Sequence, residues 1–107
     1  MGHSTCFPVS MARGASFDPD LEKRIGDVIG QEARAQGANY FGGVCINLLR
    51  HPAWGRSQET YGEDPFLLGE MGQALVEGAA AQCDRLRQAL RGEQYRKFPF
   101  LGERQSR

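Results

Sequence analysis

The sequence predicts an α/β arrangement in the order helix, strand, long loop, helix, closed by an irregular basic tail. Three observations carry this reading. Two Asp-Pro dipeptides, Asp18-Pro19 and Asp64-Pro65, each open a helical apolar stripe, and a short, nearly continuous apolar run lies between the stripes. Strands that feed helices through loops are the pattern of α/β proteins.

The first helix is expected over about residues 18–36. A carboxylate at Asp18 caps free N–H groups, and proline at the first helical position loses no needed donor. Leu21, Ile25, Val28 and Ile29 share one face at three- and four-residue spacing. Gly37 supplies the stop, because glycine tolerates the left-handed conformation after a last turn. Gly26 and Gly30 lower the intrinsic stability of the helix and suit a close approach to a sheet.

Residues 39–49, NYFGGVCINLL, contain the apolar run Val44, Cys45, Ile46, Leu48 and Leu49. Such a run after a helix predicts a strand at about 40–49, buried on both faces as in a parallel sheet. Residues 50–64 form a polar loop rich in turn formers. Phe66, Leu67, Met71, Ala74, Leu75 and Gly78 then carry the second helical stripe to about residue 80. One strand of the buried kind is too little sheet for a complete core, so the sequence reads as a fragment. Its uncovered apolar faces favour self-association.

Composition narrows the function. Of 107 residues, 40% are hydrophobic and 24% charged, with 13 Lys+Arg against 13 Asp+Glu. A zero net charge argues against a chain built to coat nucleic acid or an anionic membrane. No apolar run reaches the roughly 18 residues that a spanning helix needs. The first residues lack the charged start and apolar middle of a secretory signal. Cys6, Cys45 and Cys83 cannot all pair and match no zinc spacing, which predicts reduced thiols and a cytoplasmic chain. The charge is nevertheless uneven: residues 1–82 hold 6 basic and 10 acidic side chains, residues 83–107 hold 7 and 3. The basic end reads as a solvated terminus rather than a nucleic-acid arm.

The loop at 50–64 gathers the chemistry: Arg50, His51, Trp54, Arg56, Gln58, Glu59, Tyr61, Glu63 and Asp64. Loops after the C-terminal ends of strands are where α/β proteins bind ligands. Arg56 offers a planar fork of donors for hydroxyl or carboxylate oxygens, and Glu59 is placed to hold it rigid. Trp54 and Tyr61 offer the apolar faces and polar edges that suit sugar rings. Plainer readings stand beside these. Asp64 reads as a helix cap rather than a catalytic acid, His51 as a turn residue rather than a metal ligand, and Trp54 as a plug on the core. Glu59 and Glu63 read equally as solvated charges. Arg56 reads either as a ligand contact or as a structural pin to Glu59 or Glu63.

Three stretches make the chain resemble family 3 of the glycoside hydrolases, the β-glucosidase family. One is an FP segment before a helix that opens D-P-x-L and reads I-G-x-E-A-R-A-x-G, here Ile29, Gly30, Glu32 to Ala35 and Gly37. The second is N-x-x-R-x-P-x-W-G-R, here Asn47, Arg50, Pro52, Trp54, Gly55 and Arg56. The third is E-x-Y-x-E-D-P, here Glu59, Tyr61, Glu63, Asp64 and Pro65. The resemblance runs over about residues 7–78. It implies part of an N-terminal barrel of the (β/α)8, TIM-like type and hydrolysis of terminal β-linked sugars with retention. Retention uses two carboxyl groups about 5–5.5 Å apart. The family's nucleophile and acid/base lie far downstream of the matching stretch, so no catalytic residue is assigned here. The pocket arginine of the W-G-R motif carries over onto Arg56 as substrate-binding. No metal and no cofactor are implied, and the partner is a β-glucoside-like carbohydrate. The chain is expected to be inactive alone. Two alternatives from other classes are a non-catalytic sugar-binding remnant and a fragment that docks on a complementary chain.

The domain reading is therefore a barrel fragment over 1–80 and an irregular tail over 81–107. The family expects Lys-His-Phe near position 88. Codons shifted by one nucleotide from Gln88 onward permit those three residues, so the tail reads as an out-of-frame translation.

Overall fold

The computed structural model describes residues 4–38 and 40–82. Three helices organise them: α1 (Ser10–Gly14), α2 (Pro19–Ala35) and α3 (Pro65–Gln82), with a 3-10 turn at Ser57–Glu59. The tail reading at 81–107 falls, beyond Gln82, outside the described residues.

Helix α2 forms where the local signals place it. The Asp18 carboxylate accepts the Leu21 N–H at 2.9 Å, and Pro19 fills the first turn. At the other end Gly37 has φ +78°, its N–H bonds Arg34 O at 2.9 Å, and Ala38 N–H bonds Ala33 O at 2.9 Å. These are the two bonds of a Schellman cap, and they require the left-handed residue that glycine supplies. Helix α3 opens the same way, with the Asp64 carboxylate accepting the Phe66 N–H at 3.0 Å. Asp64 is thus a cap.

The strand expected at about 40–49 is not formed. Among the described residues there is no strand, and the α/β reading is corrected to a helical unit. The physical reason is that a strand exists by its neighbour's hydrogen bonds, unlike a helix, whose bonds are internal. Residues 40–50 are held instead by Leu49 N–H on Gly62 O at 3.4 Å and by the Thr60 hydroxyl donating to Asn47 O at 2.7 Å. Ile46 stays 47% exposed.

The main packing is α2 against α3, and at three glycines the two backbones meet directly. A Cβ on Gly26 would stand 2.5 Å from Leu75 O, and one on Gly30 2.8 Å from Ala79 O. From the other side, a Cβ on Gly78 would collide with Lys23 O and lie 2.7 Å from Asp27 N. The two glycines of α2 therefore serve a close approach to α3, not to a sheet. Polar ties flank the crossing: Lys23 to Glu77 at 3.1 Å, Gln82 to Asp27 at 2.7 Å, and Arg34 to Gln82 O at 2.6 Å.

This contact rotates α2 from the expected orientation. Its buried residues are Glu22, Ile25, Gly26 and Gly30, while Val28 is exposed. The apolar stripe Leu21, Ile25, Val28 and Ile29 is only partly the inner face. Helix α3 buries Leu68, Met71, Leu75 and Ala79 among others, but Phe66 stands 72% exposed at its first turn. Helix α1, which the sequence pattern did not reveal, rests its Gly14 against residue 61: a Cβ there would be 2.6 Å from Tyr61 O.

Candidate functional site

The loop between Arg50 and Asp64 is built from consecutive turns. Trp54 N–H bonds His51 O at 3.1 Å, Ser57 N–H bonds Trp54 O at 3.2 Å, and Glu59 N–H bonds Arg56 O at 3.0 Å. The last closes the 3-10 turn and brings side chains 56 and 59 to one side. Arg56 then pairs with Glu59 fork to fork. Its Nε donates to Oε1 at 2.9 Å and its Nη2 to Oε2 at 2.6 Å. Each partner holds the other charged: the Glu59 carboxyl is lowered by the arginine's hydrogen bonds, and the guanidinium is raised by those same bonds and by the Glu59 charge. The pair is solvent-facing, with the Arg56 side chain 68% exposed.

His51 takes the turn role. The Ala53 N–H donates to its Nδ1 at 3.1 Å. With Asn47, Leu48, Arg50 and Trp54 it lines an open cleft of about 530 Å³. Among the described residues no three His, Cys, Asp or Glu side chains converge to hold a metal ion. No described helix is long and apolar enough to cross a membrane. Cys6 is exposed and Cys45 half-buried, both as free thiols, and Cys83 lies outside the described residues.

Tyr61 is not a sugar platform. It is 3% exposed, and its hydroxyl donates to Glu22 Oε1 of α2 at 2.6 Å. Arg13 completes the group, its Nε 3.4 Å from Glu22 Oε2 and its guanidinium 6.0 Å from the Tyr61 ring centre. Burial and the neighbouring carboxylate push the Tyr61 hydroxyl well above its ordinary value. Arg13 Nε and Glu22 Oε2 are buried without a hydrogen bond, so charge attraction alone joins them. Sequence reasoning missed this cluster. Its signal was a carboxylate at position 22, three and four residues before Ile25 and Gly26 on the inner face.

Two carboxylates of the loop have settled tasks, Glu59 on Arg56 and Asp64 on the start of α3. Glu63 makes no bond to Arg56, whose carboxylate partner is Glu59. The structure thus joins Arg56 with Glu59, places Trp54 and His51 on the cleft, and sends Tyr61 into the interior.

Comparison with known proteins bears on the whole segment. The family described as Glycosyl hydrolase family 3 N terminal domain matches residues 1–90. A probable beta-glucosidase H of Emericella nidulans is 35% identical over 79 residues, 74% of this chain and 10% of that protein. A probable exo-1,4-beta-xylosidase of Aspergillus terreus is 44% identical over 81 residues, 71% of this chain and 11% of that protein. A beta-glucosidase of Rhizobium radiobacter is 38% identical over 79 residues, 74% of this chain and 10% of that protein. The chain thus spans about a tenth of the length of the curated relatives it matches. No solved structure matches it. The family match and these identities lead to one conclusion: the chain belongs to glycosyl hydrolase family 3, within the N-terminal domain.

Proposed function

We propose that the segment is part of the barrel domain of a retaining glycosidase that removes terminal β-linked sugars, and that Arg56 contacts the terminal sugar. The observation that supports this most is the fork between Arg56 and Glu59. Of the five N–H donors of a guanidinium, two are spent on the carboxylate. The remaining three are held in a fixed plane and face solvent. Donors pre-oriented in this way bind sugar hydroxyls with less lost rotamer freedom than a loose arginine. The relatives' names, beta-glucosidase and exo-1,4-beta-xylosidase, fit an exo-acting enzyme for neutral sugars.

Arg56→Lys tests this in a full-length enzyme carrying the segment. Lysine keeps the charge but loses the fork. The expected result is a fall of roughly tenfold or more in kcat/KM, the scale of one charge-assisted hydrogen bond, with Tm unchanged. Unchanged kcat/KM with a lowered Tm makes Arg56 a structural pin.

The 107-residue chain alone is expected not to turn over an aryl β-glucoside. Retention needs a paired nucleophile and acid, and Glu22, Glu59 and Asp64 are each committed elsewhere. Turnover that is lost on Glu59→Gln or Asp64→Asn would overturn this.

A second reading, docking on a chain that supplies neighbouring strands, is supported by the apolar run at 44–49. It remains unpaired as strand, with Ile46 and, just before the run, Tyr40 exposed.

A further inference from the structure

The cleft beside Trp54 has no part in the reading of Arg56, which is not among its described lining residues. It is an open depression of about 530 Å³. Arg50 and His51 are exposed and Trp54 is half-buried, so a solute reaches all three.

One hydrogen bond settles the character of the wall. His51 Nδ1 accepts the Ala53 N–H at 3.1 Å. A ring nitrogen that accepts carries no proton, so the proton of the neutral imidazole sits on Nε2. His51 therefore presents a donor. Arg50 presents a guanidinium with donors only, and the Trp54 indole presents one N–H. Asn47 is the one described lining side chain with an oxygen acceptor, and none of the five is a carboxylate. Leu48 and the indole ring supply apolar surface. Such a wall fits a ring with C–H faces and acceptor-rich edges, and its formal charge is positive.

The geometry points to a second sugar subsite whose preferred occupant is a ring bearing a carboxylate, a uronic acid unit. The carboxylate pairs with the Arg50 fork, the ring face lies on the Trp54 indole, and His51 Nε2–H donates to a hydroxyl oxygen. A neutral hexose offers Arg50 hydroxyls that water replaces at little cost, so the charge sets the preference. The proposal rests on the sugar reading of this loop; the ring type and the three residues are its own content.

The test is titration of the 15N-labelled chain with D-glucuronate, D-glucose and acetate, followed at the Trp54 indole, the His51 ring nitrogens and the Arg56 side chain. D-glucuronate is expected to shift Trp54 and His51 and to bind roughly fivefold more tightly than D-glucose, the scale of an exposed charged pair. Arg50→Gln is expected to abolish that preference. Equal affinities, or acetate reproducing the D-glucuronate shifts, overturn the proposal. A neutral His51 ring that carries its single proton on Nδ1 in the free chain overturns it as well, without any ligand. D-glucose shifting Arg56 while neither sugar moves Trp54 sinks this inference and spares the proposed function. Silence of the whole loop toward both sugars overturns this inference, and the reading of Arg56 is then decided separately by Arg56→Lys in the full-length enzyme.

Discussion

Replacing Glu22 by alanine is expected to cost about 3–5 kcal/mol, the range for removing one partner of a buried ion pair. The carboxylate is fully buried, and its two oxygens serve Tyr61 and Arg13. Without it, the Tyr61 hydroxyl loses its acceptor and the Arg13 guanidinium its counter-charge in a buried site. Small domains are stable by about 5–15 kcal/mol in total, so the variant approaches the edge of folding. Tyr61→Phe is the milder probe. It removes the donor and leaves Glu22 Oε1 short of one bond, a loss of about 1–3 kcal/mol. Urea melts of the three chains give the ranking.

The same group carries a pH signature. The Tyr61 hydroxyl is raised in the folded chain, while an unfolded tyrosine titrates near about 10. A raised folded value means that the contribution is complete below about pH 10 and is lost as pH climbs from there through the folded value. Tyr61→Phe is expected to remove that alkaline component of the melt. An alkaline limb of equal size in the variant would assign it to other groups.

Gly78→Ala is expected to lose about 3 kcal/mol, the upper part of the range for overpacking. The added methyl would overlap Lys23 O and stand 2.7 Å from Asp27 N, and these are backbone atoms that cannot rotate away. Alanine's better helix propensity, about 1 kcal/mol, offsets only part of the loss. Gly69→Ala is the control on the same helix. A Cβ there meets nothing within 4 Å, so that variant is expected to gain about 0.5–1 kcal/mol. The two glycines lie nine residues apart on one helix and differ only in what faces them. Equal Tm shifts in the two variants would mean that the helices are not in backbone contact.

Local signals were legible in the sequence, and relational ones were not. Asp18, Pro19 and Gly37 act on their own neighbours, so α2 was bounded to within a residue at each end. Arg56 and Glu59 sit three apart and pair as the spacing allows. The apolar run at 44–49 looked like a strand because strand propensity is a statement about burial, and burial there depends on groups that these residues do not supply. Gly26 and Gly30 announced a close approach but not the surface approached. Glu22 was hidden because a charge on an apolar stripe is read as a surface residue until its partners, 13 and 61, are known to converge.

The α2–α3 crossing also separates two properties that usually trade against each other. The helices meet through a backbone contact at Gly26, Gly30 and Gly78, while everything assigned to ligands lies on the roughly thirty-residue connection between them. Lengthening a connection of that size is entropically cheap, about 0.6 kcal/mol per doubling. Insertions and substitutions in the exposed part of that connection therefore draw little on the scaffold's stability, whereas Thr60 and Tyr61, buried at its end, belong to the scaffold itself. A segment of this design can drift in specificity while its frame stays constant, which is the condition for one framework to serve enzymes with different sugar preferences.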